Sequence, residues 1–193
     1  VPVYSVHRTS EWQAICMPFL GRRTLRDFID EAGCSAMATP GQADRNSSAQ
    51  RPSIEQILRL VQQVATGLHH AHTNGVLHRD VKPANILVTD HNQALLLDFN
   101  LSSDIVAHSL TRSIIGGTLP YLSPEHLNSL QTGGSLSLQA DVYSVGVILF
   151  ELLAGRLPYQ LRPGASLNSI VTESVAARAT QIPSVRQCRP DAS

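Results

Sequence analysis

The stretch HRDVKPANIL at 78–87 sets a carboxylate at Asp80, a cation at Lys82 and a side-chain amide at Asn85 on one tight loop. Thirteen residues beyond Asn85 stands Asp98, the first residue of AspPheAsn at 98–100. Phosphoryl transfer needs such a set: a carboxylate to orient the attacking hydroxyl, a cation near the transferring group, and oxygen ligands for magnesium. The chain has fifteen basic residues, of which fourteen are Arg and only Lys82 is Lys. Any task that calls for a lysine ammonium therefore falls to Lys82.

Two elements must hold this loop. Upstream, Ser53 with Gln56 forms a capping-box pattern, and Ile54, Ile57, Leu58, Val61, Val64, Ala65, Leu68 and Ala71 recur at helical spacing until AsnGly at 74–75. This predicts a long, half-buried helix. Downstream, IleLeuVal at 86–88 and AlaLeuLeuLeu at 94–97 flank a polar turn at 90–93, which predicts a hairpin with Asp98 at its end. The segment from Ala140 to Gly155 is apolar nearly all round, as a helix through the middle of a domain is.

The remaining segments are read more coarsely. Residues 1–6 and 14–20 around a polar turn at 7–11 predict a first hairpin, and Thr24 to Ala32 predicts a short helix with Leu25, Phe28 and Ile29 on one face. Residues 33–51 are small, polar and turn-rich and are expected to be a flexible insert. A glycine-bearing loop is expected from Asn100 to about Gly134, a helix from about Ser166 to Ala179, and irregular chain after it. Arg22, Arg23 and Arg26 are expected on a solvated face, His69, His70 and His72 as solvated or packed helix-end residues, and Phe19, Phe99 and Phe150 in the core.

Composition sets the outer limits. At 193 residues with 42% hydrophobic and 16% charged content, the chain fits one globular domain or a large fragment of one. Its formal net charge of zero gives no general attraction to nucleic acid or anionic membrane, so neither is expected as a partner. Cys16, Cys34 and Cys188 are odd in number and form no CxxC pair, which favours a reducing, cytoplasmic setting over a disulfide framework or zinc site. Val142 to Gly155 is too short for a bilayer and contains Glu151, and the amino terminus has no signal-peptide pattern.

With GTLPYLSPE at 117–125 and Asp141 at the head of the apolar helix, the motifs stand in an order that resembles the protein kinase family, specifically the bacterial, eukaryotic-like (Hanks-type) serine/threonine kinases. The resemblance implies an α+β, kinase-like fold: a small-lobe hairpin and hinge at 1–20, and a mostly helical large lobe at 21–193. It implies that Asp80 is the catalytic base, that Lys82 steadies the γ-phosphate of ATP, and that Asn85 and Asp98 ligate Mg2+. Met17 would be the gatekeeper, Pro18 to Leu20, including Phe19, the hinge along adenine, and Leu87 the floor under the base. Arg79 would pair with a phosphorylated activation loop, for which Ser109, Thr111 and Ser113 are the candidates. Thr118 would bond Asp80 and Lys82, Glu125 would close the docking segment, and Asp141 would brace the catalytic loop. The acceptor would be a protein Ser or Thr hydroxyl.

The departures from the family pattern also carry expectations. Asn100 stands where the family has Gly. No GxGxxG occurs among the twelve glycines, and no second lysine exists to anchor the α- and β-phosphates. The chain therefore resembles a catalytic domain incomplete at both ends, and as an isolated piece it is expected to transfer phosphate poorly. A pseudokinase or large-lobe docking module, and a small-molecule phosphotransferase of kinase-like fold, are the competing readings.

Overall fold

The computed structural model describes residues 4–9, 12–31, 52–99, 117–159, 167–180 and 184–190. The expected insert at 33–51, Asn100, and Ser109, Thr111 and Ser113 lie outside the described residues.

Two helices form the spine. In α2, Ile54–Thr73, the stripe of Ile57, Leu60, Val64, Leu68 and Ala71 is buried, and Ser53 Oγ accepts from the Gln56 N–H at 3.1 Å to cap its start. The second spine helix runs Leu138–Ala154 and ends on Gly155 in the left-handed conformation at φ 72°. Packed against α2 and against the short segments on its other sides, it buries Ala140, Val147, Ile148, Phe150, Leu152 and Ala154. A stripe suffices for α2; the Leu138–Ala154 helix is covered on most sides from Val147 onward, hence the continuous apolar run there, whereas Leu138 and Val142 near its start are exposed.

The central hairpin sits on α2. Strand β3, Ile86–Val88, pairs antiparallel with β4, Ala94–Leu96, in the register Ile86↔Leu96, Leu87↔Leu95, Val88↔Ala94. All three residues of β3 are buried. Gly67 of α2 allows this approach: a Cβ there would lie 3.2 Å from Leu96 Cδ1. Helix α1, Leu25–Glu31, buries the expected Leu25, Phe28 and Ile29. It is tied to β3 by the Val88 N–H, which donates to Arg23 O at 2.8 Å, and by a bridge between Thr24 and Leu87.

The second strand of the first hairpin is shorter than expected, and the first runs on to Arg8, inside the expected turn. Strands β1, Ser5–Arg8, and β2, Gln13–Cys16, pair with Val6 opposite Ile15, and β2 stops two residues before Pro18, which has no N–H for a ladder. The expectation that Phe19 belongs to the core is wrong: it is 77% exposed. It stands past the end of β2, where no second layer covers it among the described residues, and only the Arg22 guanidinium lies over its ring, at 5.9 Å. Phe150 is buried and Phe99 packs against the core.

Two further corrections concern helices and charges. Within the expected loop up to Gly134 lies helix α3, Pro124–Thr132, capped by Ser123 Oγ, which accepts from the His126 N–H at 3.2 Å, and closed by Gly133 at φ 72°. The Leu138–Ala154 helix is therefore α4, and α5 is Leu167–Thr180. Helix α5 packs on α3 over a second small core of Leu119, Leu122, Leu127, Ile170 and Val171. Arg26 is not on a solvated face: its Nη1 donates to Glu151 Oε1 at 3.0 Å, and Glu151 is fully buried in α4. Among the described residues no helix is long and apolar enough to cross a membrane.

Candidate active site

Helix α2 ends at Thr73, and Gly75 at φ 74° turns the chain toward the loop at 76–85. Asp141, in the first turn of α4, receives that loop: its Oδ2 accepts from the His78 N–H at 2.9 Å and its Oδ1 from the Arg79 N–H at 2.8 Å. Oδ2 also accepts from His72 Nε2 at 2.8 Å. One carboxylate thus fixes two successive backbone amides. It does so where the backbone is unfavourable, because Arg79 sits at φ 67°.

His78 is fully buried and joins the two loops. Its Nε2 stands 2.9 Å from Leu97 O, and its ring lies 4.6 Å from that of Phe99. Burial holds its pKa below the ordinary histidine value, so it is neutral near pH 7. A carbonyl oxygen only accepts, so Nε2 carries the proton. That leaves Nδ1 as the acceptor facing the Asp80 N–H at 3.4 Å.

The central group follows in the next five residues. Lys82 Nζ lies 2.8 Å from Asp80 Oδ2 and donates to Thr118 Oγ1, also at 2.8 Å. Asn85, on a 3-10 turn at Pro83–Asn85, donates from Nδ2 to both Asp80 O and Asp80 Oδ2 at 2.9 Å. Asp80 Oδ2 is therefore doubly bound, whereas its Oδ1 is buried with no hydrogen-bond partner among the described residues. A buried carboxylate oxygen without a donor suits an incoming hydroxyl.

The residues expected to offer oxygens to a divalent cation are Asn85 and Asp98. Asn85 commits its amide nitrogen to Asp80, and its side-chain oxygen takes no hydrogen bond among the described residues. The Leu97 N–H donates to Asn85 O at 2.9 Å, so Asp98 leaves the hairpin from a residue bonded to Asn85. Asp98 is exposed and held at φ 54°. A carboxylate and an amide oxygen are the hard ligands magnesium takes from protein, with water and phosphate oxygens as the rest of its shell.

The other expected site residues are less concentrated. Thr118 is bonded to Lys82, and no bond from it to Asp80 is found among the described residues. Met17, Phe19 and Leu20 lie on the stretch from β2 to α1, whose backbone groups at 17–20 make no hydrogen bond among the described residues. Leu87 is buried on β3, beside the bridge to Thr24. Glu125 is exposed in the first turn of α3, Arg79 is half-buried, and neither side chain has an ion-pair partner among the described residues.

Sequence reasoning did not single out the role of His72 or of Glu151. His72 lies one turn beyond Leu68, so it extends the buried stripe of α2 with a polar residue, which is a signal that it has a partner. Glu151 was used only as an argument against a membrane span. A carboxylate inside an all-round apolar helix must be paired, and here Tyr121 Oη donates to its Oε2 at 2.7 Å while Arg26 binds its Oε1.

The family model described as protein kinase domain matches residues 1–192. The chain is 30% identical to the serine/threonine-protein kinase PrkC of Bacillus subtilis over 98% of its own length, and 25% of that relative. It is 42% identical to the serine/threonine-protein kinase PknL of Mycobacterium tuberculosis over 82% of its length and 35% of the relative. Against PknB of Mycobacterium leprae the identity is 37%, over 75% of the chain and 20% of the relative. The chain thus spans between a fifth and about a third of the length of these curated relatives.

Proposed function

Because the chain belongs to the protein kinase family, we propose that it supplies the catalytic loop of a serine/threonine protein kinase, which passes the γ-phosphate of Mg-ATP to a Ser or Thr hydroxyl of a protein. The observation that carries this reading is the Lys82 ammonium, bound at once to Asp80 Oδ2 and Thr118 Oγ1, with Asp80 Oδ1 buried beside it and unpartnered among the described residues.

Each residue then has a task. Asp80 Oδ1 accepts the hydrogen of the acceptor hydroxyl, orienting the oxygen for in-line attack and taking up its proton as the bond to the γ-phosphorus forms and the bond from that phosphorus to the β–γ bridging oxygen breaks, releasing ADP. Lys82 keeps Oδ2 occupied, so the carboxylate cannot turn, and brings a positive charge to the transferring phosphoryl group. Asn85 and Asp98 would hold Mg2+, which when bound offsets the charge on the phosphate oxygens. The backbone groups of Met17–Leu20 would meet adenine, with Leu87 beneath it. Asp141 and His78 keep the loop in its unfavourable backbone shape. A cytoplasmic setting suits ATP as donor and the unpaired Cys16 and Cys188.

Lys82 is the only lysine, and it is committed to Asp80, so no lysine remains for the α- and β-phosphates. Hence the 193 residues alone bind nucleotide loosely and transfer slowly, since phosphoryl transfer depends on positioning. This favours, for the chain taken alone, a second reading as a docking module. The test follows labelled phosphate from Mg-ATP to a generic basic protein, with the parent chain and Asp80→Asn side by side. Slow transfer that Asp80→Asn abolishes supports the kinase reading; transfer indifferent to Asp80 sinks it.

A further inference from the structure

The turn that presents Thr118 to Lys82 is gripped from the far side by an arginine remote from the chemistry. Arg178, near the end of α5, is only 8% exposed. Its Nη2 donates to Leu119 O at 3.2 Å and to Pro120 O at 3.1 Å, and its Nη1 donates to Ser174 O of its own helix at 3.1 Å. The guanidinium lies 5.0 Å over the Tyr159 ring. Among the described residues no carboxylate pairs with it. Burying a cation without a counter-ion is unfavourable, and burial holds its pKa below the usual arginine value. An apolar residue would fill the same space at less cost, so the charge is retained for what it binds.

What it binds is rigid and leads straight to the site. Leu119–Tyr121 is a 3-10 turn closed by the Tyr121 N–H donating to Thr118 O at 3.0 Å, and Pro120 fixes its own φ. Two carbonyls of this turn point at one nitrogen of Arg178, so the peptide planes that follow Thr118 are oriented by that contact. On the opposite side Tyr121 Oη is anchored to Glu151. Thr118 Oγ1 is one of the two oxygens that fix the Lys82 head, the other being Asp80 Oδ2. A lysine has four rotatable side-chain bonds, and loss of either anchor frees the ammonium.

We propose that Arg178 is a positioning residue for phosphoryl transfer, acting through the Leu119–Tyr121 turn and Thr118 to hold the Lys82 ammonium in line with Asp80. This rests on the kinase reading of the site. A neutral donor at 178 keeps one hydrogen bond to the turn and weakens the hold; an apolar residue removes it.

The single lysine makes the test direct. The 193-residue chain, made with 13C,15N-lysine, gives one lysine side-chain signal by NMR. The variants are Arg178→Gln and Arg178→Met, with Arg59→Gln on the exposed face of α2 as control. The expected result is a Lys82 signal displaced toward that of free lysine in Arg178→Met, displaced less in Arg178→Gln and unchanged in the control, with faster amide exchange at Leu119, Tyr121 and Leu122. In the labelled-phosphate assay Arg178→Gln lowers kcat by about 10- to 100-fold with KM for ATP nearly unchanged, the scale of a small misplacement. Cooperatively folded variants with an unmoved Lys82 signal overturn the proposal, as does unchanged kcat in an active, Asp80-dependent parent. Where Arg178→Met does not fold, Arg178→Gln decides by the same criteria. Unfolding of both assigns Arg178 to stability alone and overturns it too. A moved signal in a chain whose transfer never depends on Asp80 defeats the kinase reading and leaves the mechanical link standing.

Discussion

Arg79 and Asp98 both adopt positive φ, at 67° and 54°, on the two loops that meet at His78. Such conformations cost about 1–3 kcal/mol each and persist only where the surroundings impose them. For Arg79 the imposing group is Asp141, and both of its oxygens are occupied by backbone N–H donors. Asp141→Asn puts an NH2 against one of those donors and is expected to destabilise the fold by about 1–3 kcal/mol, the cost of a buried unsatisfied amide. Chemical denaturation of parent and variant measures this, and an unchanged midpoint would remove Asp141 as the brace. Asp80→Asn is the contrasting case. It should leave nucleotide binding largely intact while lowering turnover at least ~100-fold, as loss of a positioned base does; equal turnover removes Asp80 from the mechanism. Asp80, Lys82 and Asn85, which share one hydrogen-bonded group, were legible as a cluster because their types and spacing are local. His72 was not, because its partner Asp141 stands 69 residues away and helical periodicity cannot tell a packed histidine from a solvated one.

Among the elements, α1 is fastened to α4 through Arg26 and Glu151, and the two partners differ in exposure. The Arg26 side chain is 31% exposed, whereas that of Glu151 is at 0%. Removing the carboxylate leaves an arginine that can turn toward water, but removing the arginine strands a buried charge. Arg26→Met is therefore expected to be the more damaging change, by about 3–5 kcal/mol against a smaller loss for Glu151→Gln. Thermal unfolding of the two variants decides, and the reverse order would contradict the burial argument. The sequence disclosed α2, α4 and the β3–β4 hairpin because long stripes, an all-round apolar run and a polar turn are strong signals. It failed for α3, where SerProGlu at 123–125 and GlyGly at 133–134 marked both ends but the span between them is too weakly periodic to announce a helix.

For the whole molecule, acid should be destabilising. Burial is the leading cause that depresses both His78 and His126. As pH falls below the ordinary histidine value near about 6.5, the unfolded chain takes up protons that the folded chain refuses. Stability is therefore complete above that pH and is lost below it, by up to about 1.4 kcal/mol per group per pH unit. Tm measured from pH 7.5 to 5.5 should fall, less steeply in His126→Gln; a flat profile contradicts this. The β1–β2 hairpin makes a second prediction. Val6 and Ile15 face each other across the strands and stand about half exposed, beside Tyr4 and the lone Trp12. Such an uncovered apolar face invites self-association. Trp12 emission should shift to the blue with rising protein concentration, and Val6→Thr with Ile15→Thr should suppress the shift.

The lysine count also makes the chain its own titrant. With arginine in all fourteen other basic positions, an amine-acylating reagent has two places to react, the amino terminus and Lys82. Blocking the first leaves a single acylation event, readable as one mass increment, and it falls on the ammonium paired with Asp80. The rate of that event counts competent sites, and its slowing by Mg-ATP gives the affinity for nucleotide without any turnover. By the same logic, acetylation of Lys82 would remove the charge bound to Asp80 Oδ2 and Thr118 Oγ1, with no other lysine in the 193 residues to dilute the modification.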